Sequence, residues 1–269
     1  MDEIRELLMQ ARKSEDEKYI ARKCIGLIDL TSLNATDQEK SIIALSSKAL
    51  EYSGIEGVPS IPAVCVYPVF VRRAKQQLLD SGIQVASVAG AFPHAQSPLE
   101  VRKREVEFAL ESGADEIDMV ISRGRFLAGD LDFVYQEISE IKEVCGKHHL
   151  KAILETGELQ TETNIRKASK IAMDAGADFI KTSTGKVQPA ATLETMLIML
   201  EEIREFYKRT SKKIGIKPAG GIRSARQAID YYLLVKELLG EEWLKPELFR
   251  IGASSLAQNL IDFVHEDQA

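Results

Sequence analysis

The sequence predicts an α/β fold, a parallel eight-stranded (β/α)8 barrel of the TIM barrel type with an extra N-terminal helix. Three observations point there. Short apolar runs recur eight times, at 25–30, 63–67, 85–89, 116–121, 151–155, 179–182, 214–217 and 249–252. Helical patterns lie between most of them, at 98–112, 132–148, 162–175, 191–210 and 225–239. Strands alternating with helices build βαβ crossovers and a parallel sheet. The length of 269 residues suits one such barrel, which takes roughly 250. An open doubly wound sheet is the competing arrangement. No GxGxxG follows the first run, which counts against a dinucleotide-binding form of it.

Taken in order, the chain begins with a charged stretch at 3–23. Its apolar residues Ile4, Leu7, Leu8 and Ala11 fall at helical spacing. It reads as an N-terminal helical extension packed on one end of the domain. Two helix-to-strand joints further on look like copies: Ser112-Gly113-Ala114-Asp115 and Ala175-Gly176-Ala177-Asp178. Gly113 and Gly176 fit a helix-ending position that needs positive φ. No linker, low-complexity segment or proline-rich hinge divides the chain, so residues 1–269 read as a single domain.

Composition narrows the function. Hydrophobic residues make up 45% of the chain, and the net charge of -6 is spread along it. That charge argues against a nucleic-acid surface and against an anionic membrane. No apolar run approaches the ~20 residues of a membrane span, and the N-terminus lacks the form of a signal peptide. Cys24, Cys65 and Cys145 are widely spaced, with no CxxC pair, so neither a disulfide framework nor a zinc site is expected. The four histidines are scattered, and no metal site is read from them. A cytoplasmic protein is expected.

Strands covered on both faces should be almost wholly apolar, so charged residues inside them carry information. Asp29, Asp118, Lys181 and Lys217 are four such residues. Alternation lets each face the barrel interior while Ile28, Ile117, Ile180 and Ile216 face the helices. A lysine at a buried strand end loses hydration, which lowers its pKa. A second ammonium beside it lowers that pKa further, and the neutral amine is then a carbonyl nucleophile able to form a Schiff base. A nearby carboxylate can move protons. The plainer alternatives are a strand-end lysine reaching for solvent and a buried ion network that only holds the barrel together.

Glycine-rich loops follow the last three strands: Gly185-Lys186, Gly220-Gly221-Ile222-Arg223, and Gly252-Ala253-Ser254-Ser255. Loops after strands seven and eight, with a helix N-terminus, form the usual phosphate site of barrel enzymes. Gly185, Lys186, Gly220, Gly221, Arg223, Gly252, Ser254 and Ser255 are therefore candidate phosphate-binding residues. Either serine could instead simply cap the next helix. Cys65 lies inside the second strand and suits core packing, with substrate contact as the alternative. Thr31 and Thr182, beside Asp29 and Lys181, are further candidate contacts. Glu155 and Glu158 either line the mouth or cap the next helix.

Together the segments resemble the deoxyribose-phosphate aldolase family of class I aldolases. The resemblance rests on Ile28-Asp29-Leu30-Thr31-Ser32-Leu33, Val64-Cys65-Val66-Tyr67-Pro68, Ala114-Asp115-Glu116-Ile117-Asp118, Ile153-Leu154-Glu155-Thr156-Gly157-Glu158-Leu159, and on residues 177–186, 215–223 and 251–256. It implies reversible cleavage of 2-deoxy-D-ribose 5-phosphate to D-glyceraldehyde 3-phosphate and acetaldehyde. Lys181 matches the Schiff-base lysine and Lys217 the lysine that keeps its pKa low. Asp118 matches the proton-transferring carboxylate, and Asp29 a carboxylate that orients Lys217 and the substrate. No cofactor and no metal are implied, because the protonated imine is the electrophile. The implied partners are small phosphorylated sugars and aldehydes, and by analogy with other barrels a homodimer or higher homo-oligomer. A related aldolase for another phosphorylated sugar and a non-catalytic phosphate-binding barrel are the alternatives. Three features depart from the family pattern: no tyrosine in the tail 263–269, His94-Ala95-Gln96 after Phe92-Pro93, and Ser122-Arg123 after Ile121.

Overall fold

In the computed structural model, residues 2–13 and 15–266 are described. The elements run α1 (Asp2–Lys13), α2 (Glu17–Ile25), β1 (Ile28–Thr31), α3 (Glu39–Ser53), β2 (Ala63–Val66), α4 (Val71–Gln77), β3 (Gln84–Ala89), α5 (Leu99–Glu111), β4 (Glu116–Val120), α6 (Arg123–Leu127), α7 (Leu131–Cys145), β5 (His149–Ile153), α8 (Thr156–Leu159), α9 (Glu162–Asp174), β6 (Phe179–Lys181), α10 (Leu193–Thr210), β7 (Gly215–Lys217), α11 (Ala225–Leu239), β8 (Ile251–Ala253) and α12 (Leu256–His265).

The eight strands form one parallel sheet in the order β7-β6-β5-β4-β3-β2-β1-β8. Parallel bridges Ile216↔Phe249 and Ala219↔Gly252 bring its two edges together. The sheet is thus a nearly closed barrel, not an open doubly wound sheet. Closure follows from the chain's own rhythm: each strand is short, apolar on its outer face and followed by a helix that covers it. Ile28, Ile117, Ile180 and Ile216 belong to the large apolar cluster between strands and helices. Gly113 and Gly176 adopt φ of 104° and 96°, the left-handed backbone that glycine tolerates best.

Two boundaries differ from expectation. The N-terminal extension is two helices, because the Asp16 carboxylate accepts the backbone N–H groups of Lys18 (2.9 Å) and Tyr19 (3.2 Å) and starts α2 afresh. That helix continues through Ile25, which the sequence suggests as the opening of a strand, and β1 begins at Ile28. α2 packs on α11 and α12, burying Ile20, Ala21, Cys24 and Ile25. The last strand starts at Ile251, two residues later than the apolar run suggests. Of the tail that departs from the family pattern, residues 267–269 lie outside the described residues.

Candidate active site

Strand register assembles the centre. Lys181 and Lys217 are direct neighbours across β6 and β7. Asp118 and Lys151 are neighbours across β4 and β5. Alternation turns these side chains inward while the intervening isoleucines pack outward. Asp29, Asp118, Lys151 and Lys217 are fully buried, and Lys181 is 3% exposed. The four charged residues singled out from the sequence therefore meet in one place.

The contacts are direct. Lys181 Nζ and Lys217 Nζ each donate to Asp118 Oδ2 at 2.7 Å. Lys217 also donates to Asp29 Oδ2. Lys151 Nζ donates to Asp118 Oδ1 at 2.9 Å and to Glu116 Oε2 at 2.5 Å. Arg250 closes the set, with Nη1 2.6 Å from Asp29 Oδ1 and Nη2 2.9 Å from Glu116 Oε1. Four basic side chains thus face three carboxylates. One of the four can lose its proton and leave the buried set balanced.

The fields select Lys181 for that role. Burial is the largest influence on it and favours the neutral amine; Asp118 opposes this and Lys217 reinforces it, so its pKa falls below the ordinary 10.5. Burial acts on Lys217 too, but Asp118 and Asp29 outweigh it and raise its pKa. For Lys151, Asp118 and Glu116 likewise overcome burial. Burial would raise the Asp118 pKa, yet Lys151, Lys181 and Lys217 hold it well below the usual carboxylate range. Asp29 is lowered in the same way by Lys217 and Arg250. The result is one amine whose pKa is lowered, among charges held by one another.

Above this network opens a cleft of about 830 Å³ at the C-terminal ends of the strands. Lys181 lines it, whereas Lys217 and Lys151 do not. Thr31, Gly185, Lys186, Gly220, Gly221, Arg223, Gly252 and Ser254 also line it. Gly185, Gly220 and Gly221 have φ of 78°, 86° and 82°, backbone in which N–H groups can turn toward an anion. A Cβ on Gly220 would lie 2.7 Å from Ala190 Cβ and 3.1 Å from Gly185 Cα, so these loops touch backbone to backbone. The Lys186 ammonium reaches across to the Leu33 carbonyl.

The remaining candidates fall elsewhere. Ser255 is exposed and outside the cleft lining; it precedes α12 without a side-chain capping bond. Thr182 is buried, and its hydroxyl accepts the Ala219 N–H at 3.0 Å, tying β6 to the exit of β7. Cys65 packs inside the barrel with Leu33, Ala86 and Val88, and burial raises its thiol pKa. Glu155 neither lines the cleft nor caps a helix by its side chain. It is fully buried with φ of 56°, a backbone region that costs a non-glycine residue on the order of 1–3 kcal/mol. Arg123 Nη1 lies 3.2 Å from its carboxylate, and Arg123 Nε lies 2.9 Å from Glu158 Oε2. Arg123, one of the departures from the family pattern, therefore pairs with both glutamates. Among the described residues, no group of three or more His, Cys, Asp or Glu could hold a metal ion.

Lys151, Glu116 and Arg250 do not stand out in the sequence as site residues. Glu116 was open to detection, since it sits two residues before Asp118 and shares its inward face. Lys151 opens the apolar run 151–155, where a charge reads as an ordinary strand edge, whereas Arg250 lies inside the run 249–252 and was open to detection by the same rule.

A nearly closed barrel, a buried strand-end lysine whose pKa is lowered and an opposite wall of glycine loops define a class of enzyme. It is a barrel lyase that attacks carbonyl carbon with an amine and grips an anionic tail. The chain belongs to the DeoC/LacD family of aldolases, whose family model matches residues 23–232. It is 46% identical to the deoxyribose-phosphate aldolase of Homo sapiens and 45% to that of Bos taurus, each alignment covering 94% of this chain and 84% of the relative. A solved structure from Toxoplasma gondii ME49 superposes with a TM-score of 0.84 at 27% identity, over 93% of this chain and 96% of that one. The tetrameric deoxyribose phosphate aldolase of Aeropyrum pernix gives 0.75 at 25% identity, over 98% and 99%.

Proposed function

We propose that this chain is a class I aldolase that reversibly cleaves 2-deoxy-D-ribose 5-phosphate to D-glyceraldehyde 3-phosphate and acetaldehyde, with Lys181 as the Schiff-base residue. One observation carries the assignment. Of the three buried lysines around Asp118, Lys181 alone lines the cleft, and its pKa alone is lowered.

The neutral Lys181 amine adds to the aldehyde carbon of the open-chain sugar. Loss of water gives an iminium. A base takes the proton from the C3 hydroxyl, the C2–C3 bond breaks, and its electron pair moves into the iminium to give an enamine. The C3 carbon leaves as the aldehyde of glyceraldehyde 3-phosphate. The enamine takes a proton at C2, and hydrolysis releases acetaldehyde and the free amine. Asp118, 2.7 Å from the Lys181 nitrogen, moves these protons through an ordered water. Lys217 stays charged and biases Lys181 toward the neutral form. Asp29 holds Lys217 in place. Gly185, Lys186, Gly220, Gly221, Arg223, Gly252 and Ser254 hold the phosphate.

The reaction as proposed uses no metal and no bound cofactor. The chain is read as one catalytic domain, and as a homo-oligomer by likeness to the tetrameric relative. No helix among the described residues is long and apolar enough to cross a membrane. The three free cysteines fit a reducing compartment, and the cytoplasm is part of the proposal.

Borohydride with acetaldehyde or deoxyribose 5-phosphate is expected to leave a reduced adduct on Lys181, located by peptide mapping. No adduct, or an adduct on Lys217 alone, overturns the assignment. Lys181→Ala should abolish cleavage, and EDTA should leave it intact.

A further inference from the structure

We infer that Glu155 is a positioning residue that fixes the span between the Lys181 amine and the anion-binding end of the cleft, and so selects phosphorylated over unphosphorylated sugars. The inference rests on the function proposed above and concerns a residue outside the reacting centre. The Glu155 carboxylate bonds to Arg123 and Thr184 rather than to the lysines.

The connections run in one direction. Glu155 Oε1 accepts the backbone N–H of Thr184 at 3.2 Å, and Oε2 accepts the Thr184 hydroxyl. That hydroxyl, its own proton given to Glu155, accepts the backbone N–H of Lys186 at 3.1 Å. One buried carboxylate therefore holds the segment 184–186, which begins three residues after Lys181 and ends at the anion wall. Arg123 balances its charge at 3.2 Å, so the anion is not left unpaired in the interior.

Backbone contacts from the two residues after Glu155 hold the same loop. The Thr156 N–H donates to the Thr182 carbonyl at 3.0 Å. Gly157 lies directly beneath the Pro189 carbonyl, where any Cβ would collide with it. The β5–α9 connection is thus a template on which the loop after Lys181 is laid. The left-handed backbone of Glu155 turns its carboxylate into that loop instead of along β5.

A loop so fixed presents amine and anion site at a single separation. A sugar with a terminal phosphate spans both ends at once, and a sugar without one meets only the amine. Misplacement by about 1 Å at such a site costs roughly a hundredfold in rate.

The test compares deoxyribose 5-phosphate with deoxyribose in the wild type, Glu155→Gln, Thr184→Val and Thr184→Ser. Glu155→Gln places an amide donor against the Thr184 and Arg123 donors. Thr184→Val removes the linking hydroxyl at constant shape, and Thr184→Ser keeps it. The ratio of kcat/KM for the two sugars should fall at least about tenfold in Glu155→Gln and in Thr184→Val, mainly through KM for the phosphorylated sugar. Thr184→Ser should keep most of the ratio, and inhibition by inorganic phosphate should weaken only in the variants whose ratio falls. An unchanged ratio, or kcat lost equally for both sugars, overturns the inference while leaving the proposed function standing. A wild-type chain that shows no preference for the phosphorylated sugar overturns that function, and the inference with it. Should Glu155→Gln fail to fold, the Thr184 pair alone decides between these outcomes.

Discussion

Lys181 and Lys217 donate to the same oxygen, Oδ2 of Asp118, each at 2.7 Å. One carboxylate oxygen cannot fully compensate two ammonium groups in a buried site. Lys217 has a second carboxylate in Asp29, and Lys181 has none. The shared oxygen thus makes Lys181 the group that gives up its proton.

Lys217→Met should remove that competition. Asp118 would then serve Lys181 more fully and favour the ammonium, so the Lys181 pKa should climb back toward the ordinary 10.5. Only the neutral amine reacts, and its fraction falls about tenfold for each unit of that rise. The acid limb of the pH–rate profile should move to higher pH, and kcat/KM at pH 7 should drop by about tenfold or more. A profile that keeps its position would refute this relation.

Asp118→Asn separates iminium formation from proton transfer. The amide keeps the shape but not the charge, and the Lys181 amine loses the anion that favours its protonated form. Borohydride trapping should persist, while turnover falls on the order of 10²–10⁴-fold. Loss of trapping together with turnover would show that Asp118 acts before the iminium.

Arg250→Met tests the lower part of the network. It leaves Asp29 and Glu116 short of a buried partner, at a cost of about 3–5 kcal/mol and a Tm drop on the order of 10 °C. Both carboxylates have depressed pKa values in the fold. Groups of that kind contribute stability above their ordinary values, 3.8 and 4.5, and lose it as pH falls through the depressed ones. The gap between wild type and variant should therefore be widest near neutrality and narrow below about pH 4. Denaturant melts across pH would measure it, and a gap that widens in acid would contradict the pairing.

Gly252→Ala tests why a glycine sits inside β8. The added methyl would lie 2.8 Å from Ala219 Cβ and 3.2 Å from Lys217 Cε. Lys217 should be displaced from Asp118 and Asp29, with kcat/KM reduced by about tenfold or more. A crystal structure of the variant would show the shift; full activity would mean that Lys217 has room to spare.

Much of the site is legible in the sequence because strand alternation is local. A charged residue in an otherwise apolar run announces an inward face, which is how Asp29, Asp118, Lys181 and Lys217 stand out. The same rule reaches Glu116, two residues from Asp118 on the same strand. It also applies to Arg250, inside the run 249–252, but does not give its pairing with Glu116, 134 residues away. Nor does it give Glu155 a role, since Thr184 is 29 residues further on. Pairings of that length exist only once the barrel has closed. The split of the N-terminal extension at Asp16 was legible in principle, as a capping aspartate ahead of an acidic first turn.

By itself the sequence determined the strand count, the alternation with helices, the four inward charged side chains and the glycine loops, because each follows from local spacing and residue chemistry. The tertiary structure decided which lysine has its pKa lowered at the cleft. Lys151, Lys181 and Lys217 are the same chemical group, and burial alone would lower the pKa of all three. The ranking comes from carboxylates on β1 and β4. Asp118 and Glu116 hold Lys151 charged, Asp118 and Asp29 hold Lys217 charged, and Lys181, at the cleft, is left with a share of one oxygen.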